Sequence, residues 1–243
     1  MDNICAAEIL IKSLDLTSLN HDDTPETITD LCQRAATKYG NAAAVCIYPE
    51  YIPVALAEAP KGVKIATVVN FPEGGNNIKA VEKEINKAIK LGADEIDAVL
   101  PYKDLLAGNV ALCQDFLKMC RQATADKTLK IIIESGELKS TSMIKKAAQL
   151  CIDAKADFVK TSTGKTKISA TPEAANAILE VIGANGGNVG FKASGGIKTT
   201  EDAKKYLTLA NAILDPAWVT PARFRIGASS VLNDLLKTLE QGY

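Results

Sequence analysis

Histidine is nearly missing from this chain of 243 residues. The one present, His21, sits in the polar stretch "NHDDTPE" and reads as an exposed loop residue. Zinc sites lean on His and Cys, so a histidine-rich metal centre is excluded. Acid–base chemistry must then rest on Asp, Glu, Lys, Tyr, Cys or water. No C-x-x-C occurs among the six scattered cysteines, Cys5, Cys32, Cys46, Cys113, Cys120 and Cys151. They read as free thiols of a reducing compartment. The opening "MDNICAAEILIKSLDL" lacks a basic start, and Glu8 and Lys12 interrupt its apolar run. It does not read as a secretory signal, and a cytoplasmic protein is expected. No stretch approaches the roughly 18 uninterrupted apolar residues of a membrane span. Neither sign of charge dominates: 28 Lys and Arg face 29 Asp and Glu. That balance points away from nucleic acid and towards a small-molecule partner. No Ser/Gly-rich linker or low-complexity tract divides the chain, so one domain over residues 1–243 is expected.

What is present is alternation. Eight short runs rich in Val and Ile read as strands: 12–17, 43–49, 64–70, 95–101, 130–135, 158–163, 189–195 and 224–229. Helical patterns separate them. Over 76–91, Ile78, Val81, Ile85, Ala88 and Ile89 form one apolar face, and 105–124, 140–155 and 230–240 repeat the pattern. Thr171, Pro172 and Glu173 start another helix, and "TTEDAKKYLTLA" opens similarly. Strand–helix alternation implies a parallel sheet. Eight units at this length fit an α/β fold closed as a (β/α)8 TIM barrel, preceded by a short N-terminal helical segment. An open doubly wound sheet is the rival, but its nucleotide signature G-x-G-x-x-G is absent. "TSTGKT" resembles the tail of a phosphate-binding P-loop, yet Val159 stands where the first glycine belongs.

Lysine interrupts two of the strands. In "ADFVKTSTGKTK", Lys160 follows Phe158 and Val159, which belong in a core; Lys192 does the same in "VGFKASG". Stripping water from an ammonium is costly. Alone, each reads more simply as a snorkelling or ion-paired lysine. Together, on successive strands, with Asp15 and Asp97 on others, they aim a carboxylate–lysine cluster at one mouth of a barrel. Burial and mutual repulsion both lower a lysine pKa, and a neutral amine attacks carbonyls to form a Schiff base. Asp97 could move the protons. Glu95 shares a strand face with Asp97, so it would lie one layer deeper and need a partner. Lys130 is the candidate; the alternative places both at a solvated barrel floor.

The loops after strands seven and eight of such barrels often hold phosphate. Gly195 and Gly196 follow the seventh run here, and Ser229 and Ser230 follow the eighth, where the last helix starts. Glycines let backbone N–H groups approach an anion, and a helix N-terminus favours negative charge. Gly164 and Lys165 in "TGK", after the sixth run, could close the cup. Plain turn chemistry and helix capping are the simpler readings of each motif alone.

"DEIDAVLPY", "DFVKTSTGK", "VGFKASGGIKT" and "FRIGASS", in this order, resemble the deoxyribose-phosphate aldolases, class I aldolases. The resemblance runs from "LDLTSLN" to "GASSVLNDLL". It implies a barrel enzyme that reversibly cleaves 2-deoxy-D-ribose 5-phosphate to acetaldehyde and D-glyceraldehyde 3-phosphate. Lys160 would form the Schiff base, Lys192 would lower its pKa and join the proton relay, and Asp97 would be the main acid–base residue. Asp15 and Thr17 would lie near the reacting end of the sugar. Gly164, Lys165, Gly195, Gly196, Ser229 and Ser230 would surround the phosphate, and Thr163 would also bind substrate. The resemblance further implies no metal or organic cofactor, phosphorylated sugar and aldehydes as partners, and a homo-oligomer. Some relatives carry a longer tail ending in tyrosine; Tyr243 follows a short tail here and is left out of the catalytic set. Cys46 reads as a small buried hydrophobe, with cavity lining as the alternative. Other classes stay open on the sequence: a Schiff-base aldolase for another substrate, a phosphate-binding isomerase or epimerase, and a sugar-phosphate sensor without turnover.

Overall fold

Eight parallel strands close on themselves in the computed structural model, which describes residues 1–242. The barrel strands are β1 (Leu14–Thr17), β2 (Ala44–Ile47), β3 (Lys64–Val69), β4 (Glu95–Val99), β5 (Thr128–Ile132), β6 (Phe158–Lys160), β7 (Gly190–Ser194) and β8 (Phe224–Ala228). β8 pairs in parallel with β1 to complete the ring. Helices α1 (Asn3–Lys12), α2 (Pro25–Arg34), α3 (Ile52–Glu58), α4 (Ile78–Leu91), α5 (Tyr102–Leu106), α6 (Val110–Thr124), α7 (Thr141–Asp153), α8 (Pro172–Ala184), α9 (Thr200–Leu214) and α10 (Val231–Gly242) alternate with them. This is the (β/α)8 barrel expected, and α1 is its N-terminal helical segment, packed on α9 and α10.

Local sequence explains the boundaries. Thr171 caps α8 by accepting from the Ala174 N–H, with Pro172 in the first turn. Thr199 and Asp202 form a reciprocal capping box at α9. Gly92 ends α4 in the left-handed conformation that glycine adopts without strain. The strands differ from expectation where side chains intervene. β1 begins at Leu14 because Lys12 ends α1 and Ser13 is its cap. β5 begins at Thr128, where the Asp157 carboxylate accepts from the Leu129 N–H at 2.7 Å. It stops short of Glu134, whose φ of +50° turns the chain out of the sheet. β6 ends at Lys160, after which the Thr161 hydroxyl accepts from the Ser194 N–H at 3.0 Å.

The helix expected over 105–124 is two, split at Gly108 with φ +88°. Helices α2 and α3 and a two-stranded pairing of 36–37 with 40–41 are further elements. α2 opens with Thr24, Pro25 and Glu26, the same cue that marks α8. Tyr243 lies outside the described residues. No helix among those described is long and apolar enough to cross a membrane.

One large apolar cluster fills the layer between strands and helices, built from residues such as Leu16, Val45, Ile96, Ile131, Val159, Phe191 and Ile226. A second, smaller cluster joins Leu19, Ala44, Cys46, Ala66 and Val68. Alternation along β2 and β3 turns Cys46, Ala66 and Val68 to the face opposite Val45 and Ile65, hence into the barrel. These small side chains leave the lumen room for the long ones that β4 to β8 send inward.

Candidate active site

Charged side chains point inward from each of β4 to β8 and from β1. They are Glu95 and Asp97 on β4, Lys130 on β5, Lys160 on β6, Lys192 on β7, Arg225 on β8 and Asp15 on β1. All are buried, and Lys130 and Lys192 are among the largest fully buried side chains. Such residues persist in an interior only when paired, and the pairing is dense. Lys130 Nζ lies 2.5 Å from Glu95 Oε2, 2.8 Å from Asp97 Oδ1 and 3.5 Å from Asp15 Oδ2. Arg225 reaches Asp15 Oδ1 at 2.5 Å and Glu95 Oε1 at 3.0 Å, with its guanidinium over the Phe158 ring. Lys192 Nζ lies 2.5 Å from Asp15 Oδ2 and 2.7 Å from Asp97 Oδ2. Lys160 Nζ also donates to Asp97 Oδ2, at 2.7 Å.

Glu95 and Lys130 therefore pair inside the barrel; the solvated-floor alternative does not hold. Four cations face three carboxylates. One positive charge is in excess. Among the described residues Lys160 is paired with a single carboxylate, Asp97, and shares that oxygen with Lys192. The shifts follow this count. Burial lowers the Lys160 pKa, the Asp97 carboxylate opposes it, Lys192 adds to it, and the net direction is down. Burial also works against charged Lys192, but Asp15 and Asp97 outweigh it and the net direction is up. The two lysines are thus not depressed alike, as mutual repulsion alone would have it. For Asp97, burial favours the neutral acid, yet Lys130, Lys160 and Lys192 together hold the carboxyl well below its ordinary range. Asp15 is lowered in the same way, against burial, by Lys192, Arg225 and Lys130.

Above this network a pocket of about 230 Å³ opens at the carboxyl ends of the strands. Lys160 forms part of its floor. Thr17, Thr163, Gly164, Lys165, Gly195, Gly196, Ser229 and Ser230, all candidates from the sequence, line it. Gly195 and Gly196 take φ of +88° and +79°, a backbone that a side chain would strain. Ser229 and Ser230 sit at the N-terminus of α10. The Lys165 ammonium donates to the Leu19 carbonyl at 2.6 Å, spanning the mouth from the β6 loop to the β1 loop. Asp97, Lys192 and Asp15 lie beneath Lys160 and do not line the pocket. Cys46 does not line it either; it packs in the inner apolar cluster, and burial pushes its thiol up.

The sequence profile of the DeoC/LacD family aldolases matches residues 9–237. The chain belongs to this family. Among solved structures, a protein from Coccidioides immitis provisionally named a deoxyribose-phosphate aldolase is 29% identical, with a TM-score of 0.84 over 96% of this chain and 86% of that one. A Toxoplasma gondii protein with the same provisional name superposes at TM-score 0.87 with 24% identity, over 98% of this chain and 95% of that one. A tetrameric deoxyribose phosphate aldolase from Aeropyrum pernix, 24% identical, superposes at 0.71 over the whole of this chain and 98% of the other.

Three residues of this family aldolase escaped the sequence reading. Arg225, between Phe224 and Ile226, is an ion embedded in an apolar strand, the same signal that exposed Lys160. Gly227 clears the path of Lys192: a Cβ there would come within 2.9 Å of Lys192 Cε and 2.8 Å of Ser194 Cβ. Glu134, after the run "KIII", is fully buried at the mouth.

Proposed function

We propose that this aldolase reversibly cleaves 2-deoxy-D-ribose 5-phosphate to acetaldehyde and D-glyceraldehyde 3-phosphate through a Schiff base on Lys160. The observation that carries the reading is the position of Lys160. It is the one lysine of the buried network that reaches the pocket, its pKa is lowered, and it stands for the excess positive charge. The network balances when that amine is neutral.

The neutral amine adds to the C1 aldehyde of the open-chain sugar to give a carbinolamine. A proton delivered to its hydroxyl through the Lys192–Asp97 relay lets it leave as water, and the nitrogen lone pair closes the iminium. Its positive charge forms beside the Asp97 carboxylate, which stabilises it. The C2–C3 bond then breaks, its electrons passing to the iminium to give an enamine. The C3 hydroxyl loses its proton and departs as the aldehyde of glyceraldehyde 3-phosphate. Protonation at C2 and hydrolysis release acetaldehyde and restore the lysine. Asp97 Oδ2 accepts from both Lys160 and Lys192, so protons leaving or reaching Lys160 have these two groups as neighbours. Water connects the relay to the sugar carbons. The iminium is the electron sink, so neither metal nor organic cofactor is required.

The phosphate end is assigned to Gly164, Lys165, Gly195, Gly196, Ser229 and Ser230, where glycine backbone, hydroxyls, an ammonium and the α10 N-terminus converge. Thr163 shares that side, and Thr17 and Asp15 lie towards the reacting end. By likeness to the tetrameric relative, the proposal extends to a homo-oligomer.

Acetaldehyde release from 2-deoxy-D-ribose 5-phosphate tests the reading. Turnover by the wild type that vanishes in Lys160→Ala supports it. Isomerised sugar phosphate without acetaldehyde would replace it with a phosphate-sugar isomerase.

A further inference from the structure

Glu134 combines two unfavourable features. Its backbone sits at φ +50°, a region that residues other than glycine enter at a cost. Its side chain is fully buried, yet it forms no ion pair among the described residues. The charged cluster of the barrel does not include it. What it does hold is one loop. The Thr163 hydroxyl donates to Glu134 Oε2 at 2.5 Å, and the Thr163 N–H approaches both carboxylate oxygens at 3.3 and 3.4 Å. The Thr166 hydroxyl, which lies 3.0 Å from the Ile168 carbonyl, also approaches Oε1 at 3.3 Å.

These bonds set the direction of the next one. A carboxylate only accepts, so the single proton of the Thr163 hydroxyl is committed to Glu134. The hydroxyl oxygen is then an acceptor, and it receives the Lys165 N–H at 3.0 Å. Between the two lies Gly164 with φ +80°. Residues 163–165 form the wall of the pocket that faces Gly195 and Gly196. A strained, buried, unpaired carboxylate thus fixes the conformation of that wall.

We propose that Glu134 is a positioning residue for the anionic end of the substrate: acting through Thr163, it holds Gly164 and Lys165 where they meet the phosphate. The proposal rests on the reading of this pocket as a sugar-phosphate site. It concerns recognition of phosphate, not the chemistry at Lys160.

The test compares kcat/KM for 2-deoxy-D-ribose 5-phosphate with that for unphosphorylated 2-deoxy-D-ribose. The ratio of the two is expected to fall about tenfold or more in Glu134→Ala, chiefly through KM for the phosphorylated sugar. Glu134→Gln should keep most of the ratio, because its amide oxygen still accepts from Thr163. Thr163→Val cuts the same link from the other side and should repeat the fall, which decides the matter if Glu134→Ala does not fold. Equal losses on both sugars would mean a merely structural role and overturn the proposal. So would a ratio that stays constant or rises, the latter meaning that the carboxylate repels phosphate. A wild type that cleaves neither sugar, or does not favour the phosphorylated one, would instead overturn the underlying reading.

Discussion

Lys160 differs from its neighbours by what it lacks, a second carboxylate. Lys192 has two, Asp15 and Asp97, and Lys130 has three. Lys160→Met should therefore abolish turnover and still unfold cooperatively, since it removes the unbalanced charge; circular dichroism and the acetaldehyde assay check both halves. The lowered pKa has a pH signature. The neutral amine persists below the 10.5 of an ordinary lysine, so imine formation should rise with pH through an inflection below that value. Lys192 is one of the charges that lower it. Lys192→Met should shift the inflection to higher pH and slow turnover by about 10²–10⁴ through loss of the relay. An inflection that stays in place would remove Lys192 from the tuning of Lys160. At this scale the sequence was informative at three positions where an ion interrupted an apolar run. Lys160, Lys192 and Asp97 stood out in that way. Arg225 and Glu134 carried the same mark, but one lies in a strand with few other polar cues and the other at a strand end, where a charge looks ordinary.

Strands and loops set the depth at which each ion sits. Lys160 is the last residue of β6, whereas Lys192 is in the middle of β7. The two residues are register partners, so what separates the amines is their partners: Asp15 and Asp97 hold Lys192 in the network, while Lys160, paired with Asp97 alone at the end of its strand, reaches the pocket. The alternation of β4 let the sequence foresee the Glu95–Lys130 pair, because parity needs no tertiary information. Gly227 could not be foreseen. Its importance depends on β8 lying beside β7, so that a side chain there would strike Lys192 and Ser194. Gly227→Ala should displace the Lys192 ammonium, cost about 1–3 kcal/mol of stability by overpacking, and lower kcat more than it raises KM. Denaturation midpoints and steady-state kinetics measure these. The divided helix at Gly108 and the early end of β5 were hidden for a related reason. Apolar periodicity continues through 105–124, and only the backbone reveals the left-handed residues that interrupt it.

The whole barrel is stapled by one ionic ring, with Asp15, Glu95 and Asp97 shared among cations from four strands. The folded-state pKa values of Asp15 and Asp97 lie below 3.8. The stability they contribute is present above that value and lost as pH falls through their folded values. Acid titration of the denaturation midpoint should thus show a decline beginning near pH 3.8. Asp97→Asn should flatten that decline. Glu95→Gln, which removes one carboxylate from Lys130 and Arg225, should destabilise the fold by about 3–5 kcal/mol. The architecture itself was legible because eight apolar runs alternated with helices, and that count closes a barrel. Which ions shared a partner was not, since the pairs join residues up to 210 positions apart.

The most direct test of the central claim is borohydride reduction in the presence of acetaldehyde, followed by peptide mass mapping. A two-carbon adduct concentrated on Lys160, and absent from Lys130 and Lys192, is the predicted result. No adduct, or one spread evenly over surface lysines, would contradict a Schiff-base mechanism at this site.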